Sequence, residues 1–424
     1  EVSVLARTTG DRLVGLKYRH PFVDLSRAEG VASPAFVAAS PSFNRDAVYT
    51  LVAADYVTLE DGTGLVHTAP GHGEEDYQTG LREGLPIYCP VRGDGTYDET
   101  VPAWLRGVKV WDANTQVTVR LRESGHMFHD HMFTHSYPHD WRSKTPTIFR
   151  ATDQWFVRVD EAFAAPGDPN VPGPGVLGPH GGGGSLRERA LSATRAHDHQ
   201  KAEVAFVPEW GRNRMRGMLE SRPDWCVSRQ RAWGLPIPAF ELPDGRTFMT
   251  GASVRAVAQV VRAKGSDAWF TLPPAELLAN YDPGADPAAQ ALEGGPVTRE
   301  MLAGAKKGRD ILDVWFESGS SWNGVLRERG LGYPADLYLE GSDQHRGWFQ
   351  LSLLPALGVT GHAPFRTLLT HGFMVDKDGR KLSKSKGDTV EDLFNDYGVD
   401  VLRWWVSSLA YENDVKVDRS FFDL

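Results

Sequence analysis

The chain has 424 residues, 41% of them hydrophobic, which supplies real cores for two to three domains and excludes a disordered or fibrous protein. Its formal net charge of −9 argues against a protein that coats nucleic acid through bulk electrostatics, although short basic stretches leave local phosphate contacts open. No apolar run is long enough to span a bilayer and no apolar leader is found, and the two cysteines, Cys89 and Cys226, match neither a disulfide framework nor a zinc ribbon, so a reducing cytoplasm is expected.

From Glu1 to about Arg150, β-like runs at Arg12 to Tyr18, Ala47 to Leu59, Gly64 to Thr68 and Leu85 to Val91 are closely punctuated by Gly and Pro. That pattern predicts a compact β-rich domain with a few helices. Within it lies DGTGLVHTAPGHGEEDY, Asp61 to Tyr77. Gly62, Gly64, Gly71 and Gly73 let the backbone approach a ligand, while His67, His72, Glu74, Glu75 and Asp76 offer acid, base and hydrogen-bonding groups. Three readings compete. A metal site would use His67, His72 and Asp76, with His129, His131, His135 and His139, but these spacings match no standard zinc pattern. A structural turn explains the glycines but not the ionisable groups. A pocket that activates water or binds an amine explains both.

Residues 164–184, rich in Pro and Gly without periodicity, read as a flexible loop, and Ser185 to Gln200 as an exposed helix. Basic stretches at Arg212 to Arg216, Arg229 to Arg231 and Lys306 to Arg309 are either phosphate contacts or solvated faces, the latter favoured for Lys306 to Arg309. A helix is expected at about Arg212 to Leu219, and a small α/β insertion at about 246–309. A strand at Asp336 to Leu339 then runs through Glu340-Gly341-Ser342-Asp343 into a helix beginning near Gln344. In open α/β sheets, ligands bind at such carboxyl ends of strands. A further strand, about Arg366 to Thr370, leads through His371-Gly372 and a turn at Asp376, Asp378 and Gly379 into Lys381, Lys384 and Lys386, which alternate with Ser383 and Ser385 on a loop closed by Gly387. That loop alone is either a wet basic turn or a grip for a polyphosphate whose charge shifts during reaction. Thr389 with Asp392 predicts a capping box for a helix ending near Tyr397, and Asp400 to Leu409 a second helix burying Val401, Leu402, Trp405 and Val406.

Four motifs thus occur in order: GTGLVHTAPGHGEEDY, DWCVSRQRAWGLPIP, DVWFESGS with YLEGSDQHRGWF, and HGFMVDKDGRKLSKSKGD. Together they resemble the isoleucyl-tRNA synthetase family of class I aminoacyl-tRNA synthetases over nearly the whole chain. The sister valyl and leucyl enzymes share the lysine loop, but GSDQHRGW after YLE is similar to the isoleucyl version. The resemblance implies an α/β fold: the second half of a Rossmann-like parallel-sheet catalytic domain at 204–398, a partial β-rich editing domain before it at 1–203, and the start of a helical domain at 399–424.

It also implies roles. KLSKS, Lys381 to Ser385, matches the family's mobile KMSKS loop with Leu382 in place of Met, making Lys384 and Lys381 the catalytic lysines. His371, Gly372, Ser383, Lys384 and Ser385 then contact ATP, and Glu340, Gly341, Asp343 and Gln344 hold the aminoacyl-adenylate. Trp315 and Trp348 match aromatics at the isoleucine side chain, and His67 and Asp76 match residues of the editing site. ATP with Mg2+ as substrate, isoleucine and tRNA(Ile) are the implied partners, with no zinc, no membrane and a monomeric, cytoplasmic enzyme. The family's His-Ile-Gly-His motif and the threonine-rich editing segment are absent from the 424 residues, so the chain is expected to be an internal fragment that is inactive alone. A regulatory module descended from a synthetase would keep these motifs without turnover. A stand-alone hydrolase would leave the lysine loop unexplained.

Overall fold

In the computed structural model, residues 3–5, 7–22, 44–58, 60, 62–132, 134–140, 143–163, 184–195, 203–380 and 390–424 are described. Contacts divide the chain into two units, Glu1–Asp153 and Gln154–Leu424. The residues 164–183, Thr389 and the lysine loop from Lys381 onward lie outside the described residues.

The first unit carries two longer helices, Glu74–Glu83 and Val110–Glu123. Glu74, Glu75 and Asp76 complement the positive end of the first, and Gly84, at φ 68°, ends it in the left-handed conformation that glycine tolerates best. The expected β-rich character is not met among the described residues. In place of named strands, the extended segments form isolated bridges, Lys17 with Thr50, Val91 with Tyr97, Thr96 with Lys109 and His139 with Pro146. Alternating sequence specifies extended backbone, not a partner, and Pro70, Pro86, Pro90 and Pro102 supply no ladder donor.

The second unit is organised by three parallel strands in the order Ala205–Val207, Phe365–His371, Ala335–Gly341, with Phe365–His371 central. The Trp348–Thr360 helix packs on this sheet region with apolar residues on every side, as a buried helix must; Phe349, Leu353 and Leu357 are fully covered, as are Phe365 and Leu368 on the central strand. Each such side chain contributes about 1.5–3 kcal/mol through burial.

Trp155, Val157 and Phe163 pack against this same core, and the Leu186–Ala193 helix packs on Trp348–Thr360. The contact boundary therefore falls between Asp153 and Gln154 rather than at 203. Ser185 and Glu188 form the capping box of the Leu186–Ala193 helix, and Leu186, Arg189, Ala190 and Ala193 are buried, so this helix is not the exposed one its mixed charge suggests. A second core is built on Phe240, Phe248, Trp269, Leu277 and Tyr281.

The basic stretches turn out to be partly structural. Arg212 is 7% exposed, pairs with Glu209 and donates to the Thr194 and Arg195 carbonyls. Lys307 is not on a solvated face; its ammonium caps the Trp269, Phe270 and Leu272 carbonyls at 2.6, 3.1 and 2.8 Å. In the Val399–Ser407 helix, Leu402 is buried, but Val401 and Val406 are exposed among the described residues. No helix of the described residues is long and apolar enough to cross a membrane.

Candidate functional site

The register of the two longer strands sets the geometry of the second unit. Glu340 lies opposite Thr370 and Gly341 opposite His371, so both polar turns leave the same edge of the sheet. Close approach dictates both glycines. A Cβ on Gly341 would sit 3.0 Å from the Phe373 ring and 3.2 Å from Asp343 Oδ1, and one on Gly372 would collide with the Asn413 carbonyl carbon at 2.1 Å. Gly372 N–H donates to Tyr411 O at 2.7 Å, and Met374–Val375 pairs in parallel with Val415–Lys416, which clamps the chain leaving the central strand. Beyond it, Asp376 accepts from the Asp378 and Arg380 amides, at 2.9 and 2.8 Å, and Gly379 takes φ 81°, closing the turn that precedes Lys381.

After Gly341, a single 3-10 turn, Ser342–His345, presents Asp343 and Gln344 before the Trp348–Thr360 helix starts. Gln344 Oε1 accepts from the Trp348 amide at 2.9 Å. The Trp348 indole stacks on Tyr338, with centroids 4.0 Å apart, and donates Nε1–H to Ser318 O at 2.9 Å. Trp315 reaches the same place, since its ring would lie 3.2 Å from a Cβ on Gly347. Trp315, Gln344 and Trp348 are therefore brought together, with Glu340, Gly341, Asp343, His371 and Gly372 along the adjoining edge. Lys381, Ser383, Lys384 and Ser385 lie outside the described residues.

Sequence reasoning missed the groups that hold this site in place. Asp313, 4% exposed, caps the helix bearing Trp315 and accepts from Trp225 Nε1 at 3.0 Å, while Arg229 lies 3.1 Å away. His345, fully buried, donates Nδ1–H to Ser342 O at 3.0 Å and faces Thr370 Oγ1 at 3.4 Å. Burial lowers its pKa, assisted by the Arg214 charge and opposed by the Ser342 bond and Asp343, so the turn carrying Asp343 and Gln344 is tied to the central strand by a neutral imidazole. A histidine between two polar residues and Arg-Gly was the only available signal.

In the first unit, His67 lies on the wall of a cavity of about 660 Å³, with Tyr18, His20, Tyr49, His72 and Trp104. Asp76 is not on that wall. Its Oδ2 accepts from the Ala69 amide at 2.9 Å and so fixes the segment that carries His67. Burial, and then the charge of His67, lower the pKa of His20. Among the described residues no group of three or more His, Cys, Asp or Glu side chains is placed to hold a metal ion.

Residues 45–418 match the family described as tRNA synthetases class I (I, L, M and V). The chain belongs to that family. Among curated relatives, it is 43% identical to the isoleucine–tRNA ligase of Kosmotoga olearia over 93% of this chain and 38% of that protein. It is 41% identical to the isoleucine–tRNA ligase of Aquifex aeolicus over 98% of this chain and 39% of that protein, and 41% identical to the one of a Synechococcus strain over 99% and 38%. The class I synthetase chain described here thus spans about two-fifths of the length of these relatives, and its parallel sheet is the mixed α/β architecture expected for the family's catalytic region.

Proposed function

We propose that this chain supplies the second half of the activating site of an isoleucine–tRNA ligase and part of a hydrolytic site that clears mischarged valine. One observation carries the reading: Glu340-Gly341 and Thr370-His371 share one sheet edge, with Trp315, Gln344 and Trp348 gathered beside it. That edge is where an open parallel sheet binds its ligand.

In the proposed reaction, a carboxylate oxygen of isoleucine attacks the α-phosphorus of ATP, the bond to the bridging oxygen breaks, and pyrophosphate leaves. No protein nucleophile is required; the work is positioning and stabilisation of charge that grows on the leaving group. Lys384 and Lys381, with Ser383 and Ser385, are assigned to that charge on the strength of the KLSKS sequence, and His371 and Gly372 to the nucleotide. Glu340, Gly341, Asp343 and Gln344 would hold the adenylate, and Trp315 and Trp348 would flank the isoleucine side chain. ATP enters with Mg2+ as substrate, and tRNA(Ile) accepts the amino acid. The working enzyme is taken to be a cytoplasmic monomer.

His67 and Asp76 are assigned to clearing valine, Asp76 by anchoring the amino group and His67 by orienting substrate or water. One missing methylene is worth only about 1–3 kcal/mol of binding, a general limit that isoleucine against valine commonly illustrates and that is not obtained from this chain.

The test is isoleucine-dependent exchange of pyrophosphate into ATP. In the longer enzyme, Gln344→Ala should lower exchange by about 10²-fold, the scale of a 1 Å misplacement at a reacting centre. An unchanged rate would remove the 340–344 turn from the site. The 424-residue chain alone, which contains no His-Ile-Gly-His motif, should show no exchange, and robust exchange by it would contradict that expectation.

A further inference from the structure

Isoleucine and its isomer leucine contain the same atoms, so a site that separates them must do so by shape, and shape requires walls that do not yield. The two tryptophans assigned to the isoleucine side chain stand on two helices, Trp315 in Val314–Gly319 and Trp348 at the start of Trp348–Thr360. Gly319 brings these helices together: a Cβ there would lie 2.0 Å from Leu351 O, so the two backbones meet with nothing between them. Gly347 does the same nearer the rings, since a Cβ there would lie 3.2 Å from Trp315 Cη2 and 2.6 Å from Gln344 Oε1. These contacts fix where each tryptophan is attached. They leave the plane of the Trp348 ring to be set by something else.

Two contacts set it. The indole donates Nε1–H to Ser318 O at 2.9 Å, on the helix that bears Trp315, and it lies on the Tyr338 ring with centroids 4.0 Å apart and planes 14° from parallel. Tyr338 is itself held fast. It is 5% exposed, has Leu368 of the central strand as register partner, and meets the Phe365 ring at 4.9 Å. Its hydroxyl reaches Ser321 Oγ at 3.4 Å, two residues past the Val314–Gly319 helix, so the ring of contacts closes back on the element that carries Trp315. Side chains alternate along a strand, which puts Tyr338 on the same face as Glu340 and leaves Leu337 and Leu339 exposed on the other. The strand that delivers Glu340 and Gly341 to the sheet edge therefore also orients Trp348. A stacked ring pair has a preferred geometry that an aliphatic side chain does not impose.

We propose that Tyr338 is a positioning residue for amino-acid specificity: by holding the plane of the Trp348 ring, it keeps the pocket rigid enough to reject leucine, whose branch lies one carbon further out than that of isoleucine. Tyr338 acts through Trp348 and not on the reacting atoms. Without the stack the indole tilts, isoleucine loses part of its fit, and leucine escapes part of the clash that excludes it. Valine, smaller than isoleucine, meets no such clash, so its rejection depends little on this wall. The inference rests on isoleucine lying beside Trp315 and Trp348.

The experiment is pyrophosphate exchange by the longer enzyme without tRNA, with isoleucine, leucine and valine in turn, for the unmodified enzyme and for Tyr338→Leu, Tyr338→Phe and Trp348→Ala. Tyr338→Leu should lower the ratio of kcat/KM for isoleucine over leucine by about tenfold and change the ratio over valine by less than about twofold. Tyr338→Phe keeps the ring and should hold the isoleucine-over-leucine ratio within about twofold of the unmodified enzyme's. A Tyr338→Leu enzyme that is slower with all three amino acids but keeps its ratios would overturn the proposal, because a residue that only supports the fold changes the amount of active enzyme and not its preference. Where Tyr338→Leu fails to fold, Tyr338→Met, whose unbranched side chain adapts to irregular space, replaces it with the same expected and contrary results. Trp348→Ala separates this proposal from the reading beneath it. A changed ratio there with none in Tyr338→Leu overturns the role of Tyr338 alone, whereas exchange unaltered by Trp348→Ala takes isoleucine off this wall and overturns both.

Discussion

Gly341 and His371 are register partners at the ends of two adjacent parallel strands, so a change at one is felt on the edge that both form. Gly341→Ala adds a Cβ 3.0 Å from the Phe373 ring and 3.2 Å from Asp343 Oδ1, tight enough to shift both but not to unfold the sheet. In the longer enzyme, isoleucine-dependent pyrophosphate exchange should fall by about tenfold or more through misplacement of Asp343. A normal exchange rate would mean that the adenylate does not sit on this edge.

Asp313→Ala removes an acceptor shared by Trp225 Nε1 and Arg229 and uncaps the short helix bearing Trp315. Because Arg229 is partly exposed, most of the cost comes from the stranded indole N–H and the lost cap. The chain should lose about 2–4 kcal/mol, seen as a lower urea midpoint followed by tryptophan fluorescence. An unmoved midpoint would show that the three-way contact is not structural.

Glu203 supplies a pH dependence. Burial raises its pKa to about 7, against the Ala363 amide that donates to Oε1 at 2.5 Å, and Oε2 is buried without a partner. The folded chain therefore binds a proton that the unfolded chain releases near pH 4.5, so this group's stabilisation is complete below about 4.5 and is lost as pH rises through about 7. The loss is at most about 3 kcal/mol, reduced by whatever the His362 ring, 3.6 Å away, offsets. Urea midpoints measured between pH 5 and 8 should fall with pH, and Glu203→Gln should flatten the curve; a wild-type curve already as flat as the variant's would refute the assignment.

Asp76→Ala, in the longer enzyme, should leave isoleucine activation unchanged and let valyl-tRNA accumulate. The structural motive is the Ala69 amide that Asp76 holds at 2.9 Å, seven residues from it and two from His67. Deacylation of valyl-tRNA at the wild-type rate would end the hydrolytic assignment.

The parallel strands and their polar turns were legible because apolar alternation at 335–341 and 365–371 gives way abruptly to Glu340-Gly341 and His371-Gly372. Which strand neighbours which is a non-local choice that composition does not encode. Local pattern also misled where tertiary contacts won. Lys307 read as a solvent cation and Arg212 as either that or a phosphate contact, but both spend donors on carbonyls, and Val401 and Val406 read as core but face outward among the described residues. The close rest of Gly71 on Tyr88-Cys89 was not legible because it depends on a missing side chain, a feature visible only when the backbone is folded.

The central claim is that this chain carries the phosphate-handling half of an isoleucine-activating site. Its most direct test is isoleucine-dependent pyrophosphate exchange by the longer enzyme with Lys384→Ala. Loss of one donor to the developing charge should lower the rate by about 10²–10³-fold, with little change in isoleucine affinity. A rate equal to the unmodified enzyme's would remove Lys384 from the reaction and contradict the claim.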